Sequence, residues 1–423
     1  MKIKNIQARE ILDSRGNPTV EVEVELADGE VGRASVPSGA STGDYESVEL
    51  RDEDKDRFGG KGVLKAVDHV NTVIKDALLN NEAEDQQAID SELVLRDSTP
   101  NLSKLGANAI LATSLAVSRA VANAQNIPYY EYLNKLFIQV HGQDQLMSLP
   151  IPTFNVLNGG VHTNWQTTDF QEFMLVPMKA KTFAEKFEQG SEMYQALKSI
   201  LKDKGLATTV GDEGGFAPQL KSNEQAVELL LEAIKKAGLK PGTDVMIALD
   251  PATSELFEKG KYHLKTQDKK LSSDEMIKLW EKWVEDYPII TLEDGLDQDD
   301  WKGWQELSKK LADKIPLIGD DLLVTNPERI KKAVDQQACN GLLTKLNQIG
   351  TLTETMQAIS LAKKAGWIVV VSHRSGETED TSIADLAVAV GADYAKMGAP
   401  ARTERVAKYN QLLRIEQEIE NVI

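Results

Sequence analysis

The chain has 423 residues, and its 66 acidic and 48 basic side chains give a formal net charge of −18 at pH 7. So acidic a chain, with no basic block, argues against nucleic acid or an anionic membrane surface as its partner. Hydrophobic residues make up 41% of the sequence, which is enough for a substantial core and excludes a disordered chain.

The first 140 residues predict an α+β domain that caps the rest of the chain. Apolar residues alternate with glutamates from Val20 to Leu26, which is the pattern of a half-buried strand. Asp28 and Gly29 form a turn signal before a second strand-like run at 31–36. Helical patterns follow at about 62–80, 85–96 and 107–126. Strands followed by a run of helices are typical of an α+β unit.

Several features predict a cytoplasmic protein that does not enter a membrane. The amino terminus, residues 1–10, has no apolar stretch typical of a signal peptide. The most apolar long stretch, residues 107–124, contains Arg119 among other polar residues, so we expect a buried helix and no bilayer span. The single cysteine, Cys339, cannot form an internal disulfide, as is usual in a reducing compartment.

Residues 141–423 predict a TIM-like (β/α)8 barrel. Amphipathic segments such as 274–287, in which Met276, Trp280 and Trp283 recur at helical spacing as core residues, alternate with apolar strand-like runs. These runs lie at 245–249, 289–292, 316–318, 341–344, 367–372 and 392–395. A chemically active residue ends each run: Asp250, Glu293, Asp320, Lys345, His373 and Lys396. Their spacing is close to the ~30 residues of a βα unit. Parallel strands end at one face of a barrel, where the active site lies.

Three of these strand ends carry carboxylates, namely Asp250, Glu293 and Asp320. Converging carboxylates with little histidine and almost no cysteine form a hard-oxygen site. Such a site favours Mg²⁺ over zinc or copper. The sequence therefore predicts a magnesium centre at this face.

Two lysines, Lys345 and Lys396, end strands on the opposite side of the ring, and two interpretations of them stay open. With an ordinary pKa of ~10.4, a lysine is a poor base at neutral pH. A neighbouring ammonium, the guanidinium of Arg374 and a divalent cation would disfavour the charged form of Lys345, which could then remove a proton. Alternatively, both lysines only balance the charge of the carboxylates.

Two more acids, Glu172 and Glu213, precede these strands. Glu172 shares a strand face with Phe170 and Met174, and Glu213 lies where a strand runs into a glycine turn. If the two carboxylates are close, the pKa of one rises, so that it stays protonated and can act as an acid. The alternative for Glu213 is an ordinary acidic residue in a turn.

Two loops suit an anionic ligand. Segment 37–43 is rich in glycine and hydroxyl groups but lacks the lysine of a P-loop. Arg374 and Ser375 follow a strand, and a guanidinium beside a hydroxyl suits phosphate. His162 lies in a glycine-started loop that could close over a site.

The motifs that carry these residues closely resemble those of the enolase family, the phosphopyruvate hydratases, in its bacterial form. They extend almost from end to end of the chain: DSRGNPTV (13–20), VPSGASTG (36–43), SKLGANA (103–109), GDEGG (211–215), ED (293–294), DD (320–321), KLNQIGT (345–351), SHRSGET (372–378) and NQLLRIE (410–416). The resemblance implies an amino-terminal α+β domain on a barrel that starts with a ββαα unit.

The resemblance also implies the glycolytic reaction of that family, the reversible Mg²⁺-dependent dehydration of 2-phospho-D-glycerate to phosphoenolpyruvate through an enolate. It makes Lys345 the base at C2 and Glu213 the acid at the C3 hydroxyl, with Glu172 beside it. His162 and His373 would complete the catalytic pocket.

The implied ligands are two Mg²⁺ ions per site, one phosphorylated substrate and further copies of the chain. Asp250, Glu293 and Asp320 would hold the first ion, and Ser41 would bind the second ion together with the substrate phosphate. The implied substrate-binding set is His162, Gln171, Glu172, Glu293, Asp320, Lys345, Arg374, Ser375 and Lys396. Family members are dimers or octamers of dimers.

The sequence departs from the family pattern after His162, at residue 397 and, slightly, over residues 250–255. Residues 163–165, Thr-Asn-Trp, follow His162 where small or amide residues are usual, and Met397 replaces a usual threonine. We expect a tryptophan here to alter loop closure, as in a second, divergent enolase copy. Two other functions stay open: an acid-sugar dehydratase or racemase, which would not need the phosphate-binding residues, and a binding role at the cell surface.

Overall fold

A computed structural model describes residues 1–40 and 43–422 of the chain. Its amino-terminal part contains an antiparallel sheet with β2 (Pro18–Leu26) between β1 (Ile3–Leu12) and β3 (Val31–Ser35). The helices that follow are α1 (Leu64–His69), α2 (Lys75–Leu78), α3 (Gln86–Asp97), α4 (Ala107–Ala124) and α5 (Tyr129–His141). A π-helical turn, Val70–Ile74, joins the first two of these helices.

The alternating pattern of β2 is confirmed as a strand, but one of its glutamates is less exposed than the alternation predicts. The apolar residues from Val20 to Leu26 are fully buried. Glu21 is buried as well, because it accepts hydrogen bonds from the Ser35 hydroxyl and from Arg9, each at 2.8 Å. β2 is the central strand, so both of its edges are paired.

Helix α4 packs against this sheet and is buried along most of its length, as its composition predicts. Gly32 of β3 permits the close approach, because a Cβ there would lie 2.2 Å from the Ala116 carbonyl oxygen. Across residues 1–40 and 43–422, we find no helix with the length and apolar character needed to cross a bilayer.

The carboxyl-terminal part is a closed barrel. Its strands are β4 (Ile151–Asn158), β5 (Glu172–Pro177), β6 (Val245–Asp250), β10 (Ile289–Glu293), β11 (Leu317–Gly319), β12 (Gly341–Thr344), β13 (Ile368–Ser372) and β14 (Tyr394–Lys396). Between the third and fourth of these, a small antiparallel sheet is inserted, made of β7 (Phe257–Glu258), β8 (Lys261–Leu264) and β9 (Lys269–Leu271).

The barrel departs from strict β/α alternation at its start. β5 is antiparallel to both of its neighbours, β4 and β6, whereas the other neighbouring pairs in the barrel are parallel. The two helices that follow β5 complete a ββαα unit, as the family resemblance implied. The helices of this part are α6 (Phe183–Asp203), α7 (Asn223–Lys236), α8 (Ser273–Asp286), α9 (Trp301–Leu311), α10 (Pro327–Gln336), α11 (Leu346–Ile349), α12 (Leu352–Lys364), α13 (Ser382–Ala389) and α14 (Thr403–Val422).

The barrel interior is filled by apolar side chains up to the level of the strand ends. This inner cluster consists of Met174, Val176, Ala248, Ile318, Leu343, Val370 and Tyr394. Because side chains on a strand alternate between faces, the next inward position on most of these strands lies two residues further along. Those positions are where the chemically active residues stand.

Candidate active site

The strand ends bring the predicted residues to one face of the barrel. Asp250, Glu293 and Lys396 are the last residues of their strands, whereas Asp320, Lys345 and His373 directly follow theirs. Glu172 reaches the same face because it is the first residue of the reversed strand β5. A small cavity at this face is lined by His162, Gln171, Glu172, Glu213, Asp250, Lys345, Ser372, His373, Arg374, Ser375 and Lys396.

Segments of the amino-terminal region cover part of this face. Ser38 and Gly376 exchange two backbone hydrogen bonds, of 2.7 and 2.9 Å, and the Ser38 hydroxyl donates to Asp13 at 2.5 Å. A Cβ on Gly376 would lie 2.4 Å from the Asp13 carboxylate, so only glycine fits at this contact. The loop that carries Arg374 and Ser375 is thereby tied to the segment that leads to the hydroxyl-rich loop.

Lys396 is the centre of the first charged cluster. Its Nζ lies 2.9 Å from Asp250, 2.8 Å from Glu293 and 3.1 Å from Glu172, and all four groups are buried. Burial lowers the pKa of Lys396, but the three carboxylates outweigh burial and hold it well above the ordinary value. Burial and the nearby charge of Asp250 raise the pKa of Glu293. This cluster therefore places three carboxyl groups around a single cation, more than Lys396 could balance if all three were ionised.

Lys345 pairs with Asp320 through a short contact between Nζ and Oδ2. The other Asp320 oxygen accepts a hydrogen bond of 2.7 Å from Gln348. Burial works against the charge on Lys345, but Asp320 raises the lysine pKa above its ordinary value. In this arrangement both lysines balance carboxylates, which is the second of the two interpretations that the sequence left open.

The carboxylates fit a hard divalent cation. Asp294 and Asp321 add to Asp320, and one oxygen from each of these three lies within 4.8 Å of the others. Burial and the charges of Asp320 and Asp250 raise the pKa of Asp294 to about 8. Oε2 of buried Glu172 has no hydrogen-bond partner among the described residues. Buried carboxylates with unsatisfied charge are the donor set that a hard cation prefers.

The second charged cluster joins Glu213 to two histidines. His162 Nε2 lies 3.3 Å from one Glu213 oxygen and 3.9 Å from Glu172, and His373 Nε2 lies 3.2 Å from the other Glu213 oxygen. Asn155 donates a 2.9 Å hydrogen bond to Glu213 from the neighbouring strand β4. Glu172 links the two charged clusters, because the same oxygen that faces His162 lies 3.1 Å from Lys396 Nζ.

The cluster separates the pKa values of its two carboxyl groups, as the sequence predicts for close acids. Burial and the charge of Glu213 raise the pKa of Glu172 to about 7. Burial also disfavours charge on Glu213, but His373 and His162 hold its pKa well below the ordinary value. Burial lowers the pKa of His162, yet the two carboxylates raise it to about 10. At neutral pH the cluster thus keeps His162 protonated and Glu213 ionised, and Glu172 is the carboxyl group that gains a proton more readily than usual.

Arg374 connects the site to the amino-terminal region. Arg374 forms a two-point ion pair with Glu46, at 2.8 and 3.3 Å, and donates a 3.0 Å hydrogen bond to Asn347. Ser375 and Gln171 are buried beside them. Ser41 lies outside the described residues.

The unusual loop after His162 is held against the inserted sheet. Trp165 is half-buried, and the Lys265 ammonium lies 4.6 Å from the centre of its ring. Both Asn164 and Trp165 have positive φ angles, 49° and 60°. A cation over an indole face is a favourable contact, so the tryptophan anchors this loop instead of leaving it unattached.

Sequence reasoning missed several residues that contact the site: Glu46, Asn155, Asp294, Asp321, Gln348 and Arg405. Asp294 and Asp321 had a signal, because each directly follows a predicted metal-binding acid. The others stand within helices, loops or strand interiors, and nothing in their local pattern distinguishes them from structural residues.

Comparisons with known proteins agree with this geometry. Residues 146–423 match a family model described as "Enolase, C-terminal TIM barrel domain", and residues 3–133 match "Enolase, N-terminal domain". Two curated relatives named "Enolase 2", from Pseudomonas syringae pathovars syringae and tomato, are each 55% identical to the chain over 418 residues. The alignments cover 99% of this chain and 96% of each relative. The similarity therefore includes both structural regions and the site between them.

Proposed function

The chain belongs to the enolase family and is a phosphopyruvate hydratase. From this premise we propose which residues of the site perform each step of the reaction. The family reaction is the glycolytic, reversible dehydration of 2-phosphoglycerate to phosphoenolpyruvate, and the family depends on a metal ion. The observation that carries the residue roles is that one cavity is lined by a lysine, Lys345, and an acid cluster around Glu213. Removing a proton and expelling a hydroxyl require these two kinds of group.

Asp250, Glu293 and Asp320 would hold the first Mg²⁺, and Ser41 would join a second one together with the substrate phosphate. The excess of buried carboxylates over cations supports the first assignment. When bound, the cation supplies positive charge that neutralises Asp320, disfavours the charged form of Lys345 and stabilises negative charge on the substrate carboxylate.

Lys345 takes the proton from C2 of the substrate. It is held at the end of β12, and the pairing with Asp320 orients its ammonium group toward the carboxylate side of the cavity. Arg374 and Lys396 both disfavour a proton on Lys345, whereas Asp320 favours one. Loss of the Asp320 pairing therefore converts Lys345 from a counter-ion into a base.

Glu213 delivers the proton that lets the C3 hydroxyl leave. In the free site Glu213 is ionised, His162 carries a proton, and the pKa of Glu172 is raised to about 7. Groups this close titrate as a unit, so Glu213 draws its proton from the cluster. His373 completes the surroundings of the Glu213 carboxylate.

The cations around the cavity hold the substrate anion. Arg374 and Ser375 would bind the phosphate and Lys396 the carboxylate, with Gln171 beside them. Because Glu46 occupies two guanidinium positions of Arg374, phosphate binding must share or displace this pairing. Bidentate guanidinium contacts suit a phosphate as well as a carboxylate.

The test is the ultraviolet absorbance of phosphoenolpyruvate formed from 2-phosphoglycerate, measured with Mg²⁺, with a chelator, and after Mg²⁺ is added back. We expect formation that stops with the chelator and returns with the metal. Calorimetric titration of Mg²⁺, with and without substrate, counts the ions independently of turnover. Turnover of an unphosphorylated acid sugar, or no phosphoenolpyruvate from folded Mg²⁺-loaded protein, would contradict the proposal.

The domain division, the assembly and the location are also proposed from the family resemblance. The chain would divide into an amino-terminal domain over 1–140 and a catalytic barrel over 141–423, with the boundary at the end of helix α5 (Tyr129–His141). It would form a homodimer or an octamer of dimers in the cytoplasm. Sedimentation analysis gives the assembly size, and limited proteolysis that cuts the 142–150 connection tests the boundary.

A further inference from the structure

Arg405 is a fully buried cation directly behind the acid cluster, and none of the roles above involves it. It lies in the first turn of α14 and is 0% exposed. Its Nη1 lies 2.6 Å from His373 Nδ1 and 2.6 Å from the Arg374 carbonyl oxygen. Its Nη2 donates to the carbonyl oxygens of Ser375, at 2.5 Å, and Asp212, at 3.1 Å.

These contacts determine which nitrogen of His373 carries the proton. A guanidinium has five N–H donors and no acceptor, and it stays protonated in proteins. His373 Nδ1 must therefore be the acceptor in its contact with Arg405. The ring is then neutral with its proton on Nε2, and that nitrogen lies 3.2 Å from the Glu213 carboxylate.

The charges around His373 agree with a neutral ring. Burial lowers its pKa, Glu213 and Glu377 oppose this, and Arg405 adds to it, with a result of about 4. An imidazole that binds a cation through Nδ1 has no reason to gain a second proton there. The tautomer follows from the donor inventory alone, and the pKa direction is consistent with it.

The same guanidinium also sets the spacing between two catalytic segments. It binds the carbonyl before Glu213 and two carbonyls of the 373–375 segment. Gly398, with φ at 87°, makes room for it, because a Cβ there would lie 2.7 Å from Arg405 Cδ and 2.9 Å from the Glu213 carbonyl oxygen. Tyr409 anchors the helix to this turn by a 2.7 Å hydrogen bond to the Gly398 carbonyl.

We propose that Arg405 is a positioning residue that holds His373 as the neutral Nε2–H tautomer facing Glu213 and ties the Glu213 segment to the Arg374–Ser375 segment. Its effect on turnover depends on the proposed role of Glu213, whereas its effect on the His373 ring does not.

The primary test is nuclear magnetic resonance of ¹⁵N-histidine-labelled, Mg²⁺-loaded enzyme, with His373 identified by comparison with His373→Asn. We expect the wild-type ring to remain the neutral Nε2–H tautomer from pH 8 down to about 5. A His373 ring protonated on Nδ1, or one that titrates near the ordinary value of ~6.5, would overturn the proposal without any Arg405 variant.

The second test compares Arg405→Gln with Arg402→Gln. Arg402 is the control, because it is an exposed arginine beside the same helix start that pairs with Glu404 at 2.9 Å and contacts the Gly211 and Ser14 carbonyls only at 3.5 Å. In Arg405→Gln the amide can donate or accept, so the His373 tautomer becomes mixed. We expect kcat to fall by about 10²-fold, as for a misplaced catalytic group, with a smaller change in KM and in C2 hydrogen exchange.

Arg405→Lys keeps the charge and has donors on a single nitrogen with no acceptor, so it should restore the tautomer and part of kcat. If Arg402→Gln loses as much activity as Arg405→Gln, or if the His373 signals are unchanged in Arg405→Gln, the positioning role is wrong. If wild-type enzyme neither exchanges the C2 hydrogen nor forms phosphoenolpyruvate, the proposed function fails instead, and the histidine signals still decide the role of Arg405.

Discussion

Inside the barrel, the same strands carry apolar side chains at one level and charged side chains two residues away. Ile318 precedes Asp320, Leu343 precedes Lys345, Ala248 precedes Asp250, Tyr394 precedes Lys396, and Met174 follows Glu172 on the reversed strand. Both levels are largely removed from water.

The two levels have opposite energetic consequences. Burying an apolar side chain stabilises the fold by roughly 1.5–3 kcal/mol, whereas burying a charge is unfavourable unless its partners compensate, and even compensated ion pairs add little. The charged level is therefore not explained by stability. We infer that the barrel retains these charges for binding and chemistry. If so, substitutions at the charged level should affect catalysis, and substitutions at the apolar level should affect stability.

The largest expected effect is on catalysis at the charged level. Lys345→Ala should lower kcat by about 10³-fold, because a positioned base contributes about 10²–10⁴-fold, and should abolish exchange of the C2 hydrogen with solvent. Glu213→Gln should slow dehydration more than exchange. Proton nuclear magnetic resonance of 2-phosphoglycerate in deuterated water measures the exchange of the C2 hydrogen. Equal loss of exchange in both variants would contradict the assigned base and acid.

At the apolar level, Leu343→Ala should affect stability instead. Leu343 is fully buried in the inner cluster, and truncating such a leucine costs about 3 kcal/mol. Urea unfolding at a fixed protein concentration measures this loss. Folded Leu343→Ala should keep kcat within about twofold of the wild type, since it removes no group that contacts the cavity. A loss of kcat comparable to that of Lys345→Ala would show that the two levels are not separable.

A buried carboxyl group outside the site, Asp385, serves as a control for the comparison of the charged and apolar levels. Asp385 in α13 accepts a 3.1 Å hydrogen bond from Gln411, and its Oδ2 has no hydrogen-bond partner among the described residues. Burial raises the pKa of Asp385 to about 7; Arg119 opposes this rise and Asp380 adds to it. A carboxyl group whose folded pKa is raised stabilises the fold below its unfolded value, near 3.8, and loses that contribution as the pH rises through about 7.

Asp385→Asn should therefore be more stable than the wild type at pH 8.5, on the order of 2 kcal/mol, and should lose most of this advantage at pH 5. Urea unfolding of both proteins at the two pH values tests it. An advantage that is the same at both pH values would mean that Asp385 does not titrate in this range. Activity should not change, because Asp385 lies in the outer helical layer.

The smallest effect is expected at the loop that departs from the family pattern. Lys265→Met removes the cation over Trp165 and should cost about 0.5–1 kcal/mol of local stability. We expect a shift in tryptophan fluorescence and a change in kcat/KM of less than about fivefold. Lys269→Met is the matched control, because this exposed lysine belongs to the same inserted sheet and binds only Gln267 in the described structure. Identical effects of both variants would contradict the interpretation that the Lys265 contact with Trp165 anchors this loop.

Local pattern was sufficient for much of the fold. Helix α8 contains the predicted core residues Met276, Trp280 and Trp283, all buried, and the predicted strand at 341–344 is β12 without change. Both segments have apolar residues at the period of the element that they form, so their own composition specifies them. Glu21 is the counter-example, because its burial depends on Ser35 and Arg9 from two other strands.

The same division applies to the site. Strand periodicity and the spacing of successive units placed Asp250, Glu293, Asp320, Lys345 and Lys396 at one face, because parallel strands necessarily end together. The protonation state of Lys345 was not predictable, because it depends on an ion pair with Asp320, which lies 25 residues away along the chain. Nor was the role of Arg405, which stands in an ordinary helix start.

The amino-acid sequence by itself therefore determined the elements, the barrel class, the family and which residue types converge. Only the tertiary structure decided the partners: Lys396 among three carboxylates, Glu213 between two histidines, and Arg405 against His373. The physical reason is the distance along the chain over which each kind of information acts. Periodicity acts over neighbouring residues of one element, whereas pKa values and tautomers depend on distances of a few ångströms between residues that are far apart in the chain.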